Sequence, residues 1–408
     1  MKRLSKYISG LVMTLGLMFT LVSCNNDEPN PSPFVDPKNP NESTILIYAV
    51  ATNNLFGNYL EDREEMLLAA KNIDLSKNDV VIYQTGYKYD PENNKYTTSQ
   101  SESALIKLVK TRTGYDWETV YTFPAHKDPL NPERVKEVVN FTFQHFSAQT
   151  KGMMFWSHSS AANPYLISRS AVEDVTQSYS FGSDGLATDN KYKEINVDEL
   201  ANALPDGLLD FIWFDSCYMG NIESAYQLRN KCKYYVGYPT EVWEWGLPYN
   251  LVLPYLTKLE PNYIEAAETF YNYYNDRTHY NNATISVTET SKLNILADFC
   301  RSFYQSGNNV SSSSFIEYTN RNGYYFYDLG DYTKAMANVL DLELSNEEWN
   351  EVLANVQLYR AATPNLFTGR ELPPERYSGY STHVYNFNDN SDKELYYRSL
   401  DWYKAVFE

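Results

Sequence analysis

Four cysteines are too few to staple a chain of 408 residues, and a chain of that length buries enough core to fold without cross-links. Cys24 closes an amino-terminal export segment, which leaves Cys217, Cys232 and Cys300. Three thiols cannot all pair within one molecule, which argues against a disulfide framework. The five histidines and four cysteines form no cluster with zinc spacing, and no acidic segment has the spacing of a calcium loop. Positive charge is scarce: 34 Lys and Arg face 52 Asp and Glu, a net charge of −18. Nucleic acid and anionic membrane surfaces are therefore poor partners, and a cationic peptide is a better one. Internal repeats are missing, as is a second linker, so one folded unit is the economical expectation.

What is present begins with basic Met1-Lys2-Arg3 and Lys6, then the nearly uncharged apolar stretch Ile8 to Thr20, then Leu21-Val22-Ser23-Cys24. This is the pattern of a secretory signal with a lipobox, and the apolar stretch is short for a spanning helix. Residues 1–23 read as the signal peptide and Cys24 as the acylated first residue of the mature chain. Their removal takes away three basic residues and no acidic ones, moving the net charge from −18 to −21. Residues 24–43 carry five prolines and several Asn, Asp and Ser, the composition of a tether. Within it Asn25-Asn26-Asp27-Glu28 resembles the acidic export signals of surface lipoproteins. The expected location is the outer membrane or cell surface, with the lipid as the only membrane contact. The 43% hydrophobic fraction supports a packed core, and the 37 tyrosines suit half-buried positions of a large exported domain.

From Thr44 the pattern is α/β. Thr44 to Val50 reads as a strand buried on both faces, with Val80 to Tyr83, Thr119 to Tyr121, Met153 to Trp156 and Phe211 to Phe214 as further strands. Helical patterns lie around Asp62 to Ala70, near Ala104 to Val109, and from Pro132 behind the cap Asn131. Two more run from Asn196 and Glu199, a capping box, and from Ile222 to Leu228. That alternation predicts a mostly parallel sheet flanked by helices over residues 44–249. Residues 250–408 read as a mixed, helix-rich region packed on that unit. Helices are expected at Tyr255 to Tyr274, Lys292 to Gln305 and Glu347 to Leu358, and strands at Ala283 to Val287 and Tyr380 to Tyr385.

Two of these strands end in reactive side chains. Phe211 to Phe214 runs into Asp215-Ser216-Cys217, and Met153 to Trp156 runs into Ser157-His158, 59 residues earlier. Carboxyl ends of strands are where α/β enzymes present catalytic groups, so Cys217 and His158 read as a cysteine-hydrolase dyad. The helix expected after Cys217 would place its positive end near the thiol and favour the thiolate. His126, His145, His279 and His383 lack such context and read as structural or surface groups.

Together these segments resemble the clostripain-like cysteine peptidases, which share the caspase and gingipain fold. The resemblance covers roughly residues 44–405. It rests on Ile45 to Leu55 with its Asn-Asn-Leu turn, Met154 to His158, and Phe214-Asp215-Ser216-Cys217-Tyr218-Met219-Gly220 with Glu223. Tyr325 to Asp331 and Leu400 to Lys404 extend it. It implies a caspase-like fold and a peptidase in which Cys217 attacks and His158 protonates the leaving amine. Backbone N–H groups of Cys217 and Ser159 would form the oxyanion hole. Cleavage after arginine or lysine is implied too, with Asp215 as the acid of the specificity pocket and Glu241 or Glu244 as a second. In a strand of alternating side chains Asp215 and Cys217 face the same side. Processing between histidine and cysteine is a family habit for which Arg169, Lys191 and Lys193 are the candidate sites, and calcium dependence is a family property that the surplus of carboxylates permits. Ser159 and Ser216 depart from the glycine and alanine usual at those places. The alternative function is a surface lipoprotein that binds peptides or proteins in the same groove without cutting them.

Overall fold

The apolar run at Thr44 extends back to Asn41 and forms β1 (Asn41–Val50), whose last eight residues are buried. This computed structural model describes residue 34 and residues 38–123, 128–162, 181–185, 194–277, 280–319, 326–366 and 369–408. Strand β1 lies beside β2 (Asn78–Thr85), and a small hairpin of β3 (Tyr87–Asp90) and β4 (Lys95–Gln100) follows. Next come β5 (Ala104–Lys110), β6 (Tyr115–Thr122), β7 (Ala148–Trp156), β8 (Leu209–Asp215) and β9 (Cys232–Gly237). The carboxyl half adds β10 (Thr284–Glu289), β11 (Glu317–Thr319), β12 (Phe326–Asp328), β13 (Gln357–Ala362) and β14 (Ser381–Thr382).

Nine of them form one sheet in the order β13-β10-β9-β8-β7-β1-β2-β5-β6. The five central strands, β9 to β2 in that order, are parallel, and two antiparallel strands extend each edge. The mostly parallel, helix-flanked architecture expected of the sequence is thus present. Strands of the carboxyl half complete the sheet, since β10 pairs with β9 and β13 with β10.

Alternation along β1 shows how the layers form. Leu46, Tyr48 and Val50 enter one core, with Val135, Val138 and Val139 of α2 (Pro132–His145). Ile45, Ile47 and Ala49 enter the other, with Tyr59 and Met66 of α1 (Phe56–Ala69). Successive strand residues point to opposite faces, so a strand buried on both sides must be apolar throughout. The first core also holds residues of α3 (Val197–Ala203) and α4 (Ile222–Gln227), and the second those of α5 (Tyr249–Leu256) and α6 (Tyr263–Asn275). Carboxyl-terminal helices α7 (Leu293–Arg301), α8 (Leu329–Val339) and α9 (Asn346–Val356) join the first core. After α10 (Asp392–Ser399), α11 (Asp401–Phe407) docks on α4 through Trp402 against Tyr226, centroids 5.4 Å apart, and an Arg229–Asp401 ion pair of 2.8 Å. Among the described residues no helix is long and apolar enough to cross a membrane.

Several expectations change. Ala104 to Val109 is the strand β5, because Ala104, Ile106 and Leu108 face one core and Leu105 the other. The spacing of Leu105, Leu108 and Val109 only imitates a helix. Tyr255 to Tyr274 is divided between α5 and α6, α7 stops at Arg301, and only Ser381 and Thr382 of Tyr380 to Tyr385 form a strand. The Tyr-Asp-Leu-Gly-Asp segment is structural: buried Asp328 caps α8 through the N–H groups of Gly330 (2.7 Å) and Asp331 (3.3 Å) and accepts from Ser378 and Tyr318.

The turn after β8 passes so close to β9 that a Cβ at Gly237 would lie 2.5 Å from the carbonyl oxygen of Met219. Backbone cannot yield as a side chain does. Gly237→Ala is expected to lower stability by roughly 1–3 kcal/mol, whereas Gly57→Ala, with open space at its Cβ, should be neutral or stabilising by up to about 1 kcal/mol. Urea unfolding of the two variants checks this, and equal midpoints would contradict the close approach.

Candidate active site

Register brings the two reactive strand ends together. Ala49 of β1 pairs with Trp156 of β7, and Trp156 pairs with Asp215 of β8. His158 and Cys217 each lie two residues beyond that row. A cleft of about 390 Å³ opens there, lined by both residues together with Asn54, Trp156, Asp215, Ser216 and the 241–246 loop. It contains the expected nucleophile and histidine, the three candidate acids Asp215, Glu241 and Glu244, and no Lys or Arg among its described lining residues.

The thiol sits in an apolar, acidic setting. Burial pushes the Cys217 pKa up to about 12, the Glu241 and Asp215 carboxylates push the same way, and the Val242 N–H opposes them. Sγ accepts from that N–H at 3.5 Å and faces the Val242 carbonyl at 3.7 Å. The expectation that α4 would favour the thiolate is therefore reversed. Helix α4 begins five residues later, at Ile222, and its Asn221 cap satisfies the N–H of Ser224 at 3.1 Å. Between them Tyr218 takes a left-handed conformation, φ 61°, which for a bulky residue costs on the order of 1–3 kcal/mol. Its N–H donates to Thr240 at 2.9 Å and its ring lies 5.5 Å from Phe326, which hold the turn.

His158 is held from the opposite side. Its Nε2 lies 2.8 Å from Oδ1 of Asn54, in the turn between β1 and α1. Neighbouring Asn53 is buried and pins that turn: its side-chain N–H₂ donates to the carbonyls of Val50 (3.0 Å) and Ser183 (2.9 Å), and its Oδ1 accepts from Leu55 N–H at 2.9 Å. Burial lowers the His158 pKa. The Ser159 hydroxyl donates to the carbonyl of Cys217, so this serine ties the end of the His158 strand to the Cys217 turn. Thiol and imidazole line one cleft, and the thiol's hydrogen-bond partner is Val242.

Asp215 is 4% exposed and forms the floor. Its Oδ2 accepts from Leu247 N–H at 3.2 Å and the Tyr249 hydroxyl at 3.0 Å. Oδ1 has no hydrogen bond of good geometry among the described residues; the Tyr238 hydroxyl, which accepts from Trp213 at 3.1 Å and keeps its own proton to donate, favours the charged form, as the last of the groups that act on Asp215. Burial pushes the Asp215 pKa up to about 6, against the pull of Leu247 and Tyr249. Gly246 covers the carboxylate with φ 52°, and a Cβ there would approach it to 2.8 Å. Buried Asp62 on α1 has its own pKa raised by burial and by Asp215, which favours its neutral form; it accepts from Trp156 Nε1 at 2.7 Å. Sequence reasoning did not single out Asn54, Asp62, Val242 or Tyr249. An Asn-Asn turn at a strand end was the one visible signal for Asn54.

The remaining described histidines are structural. His383 is stacked on Tyr397 and paired with Glu394 at 2.8 Å, and His145 bonds the Phe141 carbonyl at 2.8 Å. Cys232 and Cys300 are buried free thiols. Cys24, Arg169, Lys191, Lys193, His126 and His279 lie outside the described residues. Among the described residues no group of three or more His, Cys, Asp or Glu side chains could hold a metal ion, so calcium finds no side-chain cluster there.

Residues 47–405 match the sequence model of the Clostripain family. Clostripain of Hathewaya histolytica is 22% identical over 200 residues, which is 47% of this chain and 37% of that protein's length. The chain thus spans little more than a third of that curated relative. A secreted C11 cysteine protease from Bacteroides thetaiotaomicron, solved with an irreversible peptide inhibitor, superposes with a TM-score of 0.71 at 26% identity, covering 90% of this chain and 99% of that one. An inactive zymogen C11 protease from Parabacteroides distasonis shares the fold, with a TM-score of 0.70 at 23% identity over 91% of this chain and 99% of that one.

Ser216 departs from the usual alanine without evident use. Its side chain is 2% exposed and its hydroxyl has no partner among the described residues. Leaving a buried hydroxyl unpaired costs about 1–3 kcal/mol, so Ser216→Ala is expected to raise stability by roughly 1 kcal/mol or more. Thermal unfolding tests this, and a lower midpoint would show that the hydroxyl is bonded.

Proposed function

The chain belongs to the clostripain family of cysteine peptidases, and on that premise we propose an exported lipoprotein endopeptidase in which Cys217 and His158 cut polypeptides after arginine or lysine. The observation that carries this reading is the incompletely bonded Asp215 Oδ1 at the floor of a cleft shared with Cys217 and His158. A guanidinium or ammonium entering the cleft supplies the missing donor and pairs with the charge.

The same cation prepares the nucleophile. Asp215 and Glu241 both hold the thiol in its neutral form. A basic side chain bound between them offsets that field and lowers the barrier to ionisation, so the specificity group contributes to the chemical step as well as to binding. Cys217 then leaves Val242, passes its proton to His158 and attacks the scissile carbonyl. The N–H groups of Cys217 and Ser159 receive the oxyanion. His158 returns the proton to the leaving amine, and water, deprotonated by His158, hydrolyses the acyl-enzyme. The lipobox at Cys24 supports anchorage at the cell surface. The segment with Arg169, Lys191 and Lys193 supports processing in cis or trans between the two catalytic residues.

A second reading, a groove that binds peptides without cutting, is favoured by the thiol pushed up to about 12 and engaged with Val242.

A soluble form starting at Phe34, assayed on Arg, Lys and neutral P1 peptides, separates the two. Cys217→Ala should abolish turnover, and Asp215→Asn should lower kcat/KM about 10²–10³-fold for basic P1 while sparing neutral P1. Because the Asp215 pKa is raised to about 6, the carboxylate is charged above that pH and protonated below it. The kcat/KM for basic substrates should thus fall more steeply as pH drops through about 6 than that for neutral ones, whose acid limb reports protonation of His158 alone. Peptide binding without turnover would favour the second reading. Self-processing predicts two fragments from the parent and an intact Cys217→Ala chain on a denaturing gel; intact bands from both would count against it.

A further inference from the structure

Among the described residues Asn54 is the one polar side chain bonded to His158, and its contact sets which imidazole nitrogen does chemistry. Oδ1 of an amide can only accept, so at 2.8 Å it fixes the proton on Nε2. Nδ1 is then the basic nitrogen, free to exchange a proton within the cleft. The turn that carries Asn54 is rigid for a reason independent of the histidine. Asn53 fastens it to the end of β1 through Val50 and to Ser183, and Ser157, the residue before His158, donates to the same Val50 carbonyl at 2.9 Å. The two adjacent asparagines thus divide the labour: the buried one fixes the turn, and the exposed one holds the imidazole.

Resting on the dyad reading above, we propose that Asn54 is a positioning residue that fixes the tautomer and ring orientation of His158 for proton transfer with Cys217 and the leaving amine. Other charges in the cleft cannot take its place. Asp215 is bonded to Leu247 and Tyr249 on the floor, Glu241 and Glu244 belong to the opposite loop, and Ser159 spends its hydroxyl on the Cys217 carbonyl. An uncharged acceptor also leaves the imidazole able to lose its proton, whereas a carboxylate there would hold it as the cation.

Steady-state kinetics on an Arg-P1 peptide and the pH dependence of Cys217 alkylation by iodoacetamide test the proposal. Asn54→Ala is expected to lower kcat on the order of 10–100-fold, with KM within about twofold, as befits loss of a group that acts only on proton transfer. Asn54→Asp should move the acid limb, which reports protonation of the imidazole, upward by about 1 pH unit and recover much of the lost rate above that limb. The same substitution should shift the acid limb of the alkylation profile to higher pH, a readout that survives if turnover becomes too slow to follow. An Asn54→Ala enzyme with the parent's kcat, or an Asn54→Asp enzyme with the parent's acid limb and alkylation profile, would overturn the positioning role while a dead Cys217→Ala variant still upheld the dyad. Turnover that persists in Cys217→Ala would overturn the dyad and this role with it.

Discussion

Everything at the site depends on one buried carboxylate two residues before Cys217. Asp215 ends β8 on the face occupied by Phe211 and Trp213, and strand alternation sends Cys217 to the same side. Placing a carboxylate there is expensive, and the surrounding structure compensates only partly. Leu247 and Tyr249 each bond one oxygen, the other stays short of a partner, and the group ionises near pH 6. Gly246 is required above it because no Cβ fits, and Tyr274 secures that glycine by bonding its carbonyl at 2.7 Å. Two of the chain's many tyrosines thus build the acid pocket, with an apolar ring on one side and a polar hydroxyl on the other.

The cost of that carboxylate explains the state of the thiol. A strand tip surrounded by acids and apolar rings disfavours a second negative charge, so Cys217 rests protonated against Val242. A cationic side chain relieves both groups at once. The proposed specificity would therefore couple recognition to activation through electrostatics rather than through a moving part, and a substrate lacking the charge would lose more than binding energy.

The sequence made the central strands legible because their burial on both faces demands continuous apolar runs, as in Ile45 to Val50 and Phe211 to Phe214. Strand-end placement then exposed Cys217 and His158, and parity along β8 placed Asp215 beside the thiol. The antiparallel strands that flank the central ones were harder to read. β5 carries leucines at helical spacing, and β13 continues the pattern of α9 through Gln357 and Leu358, so partners far along the chain decided the conformation of both. Backbone groups leave no trace in composition, which is why Val242 went unseen. Asn54 is exposed and meets a residue 104 positions away, a relation that no local period encodes. The reversed expectation for the thiolate has the same origin: the helix was visible, but its distance from the sulfur and the acids around it were not.

The most direct test is covalent. An arginyl peptide chloromethyl ketone and its norleucine counterpart should be compared for their rates of inactivation, and the alkylated cysteine located by mass spectrometry. The account predicts a label on Cys217 alone, fast with arginine, slow with norleucine, and losing its arginine preference in Asp215→Asn. Labelling of Cys232 or Cys300, or equal rates for the two reagents, would contradict it.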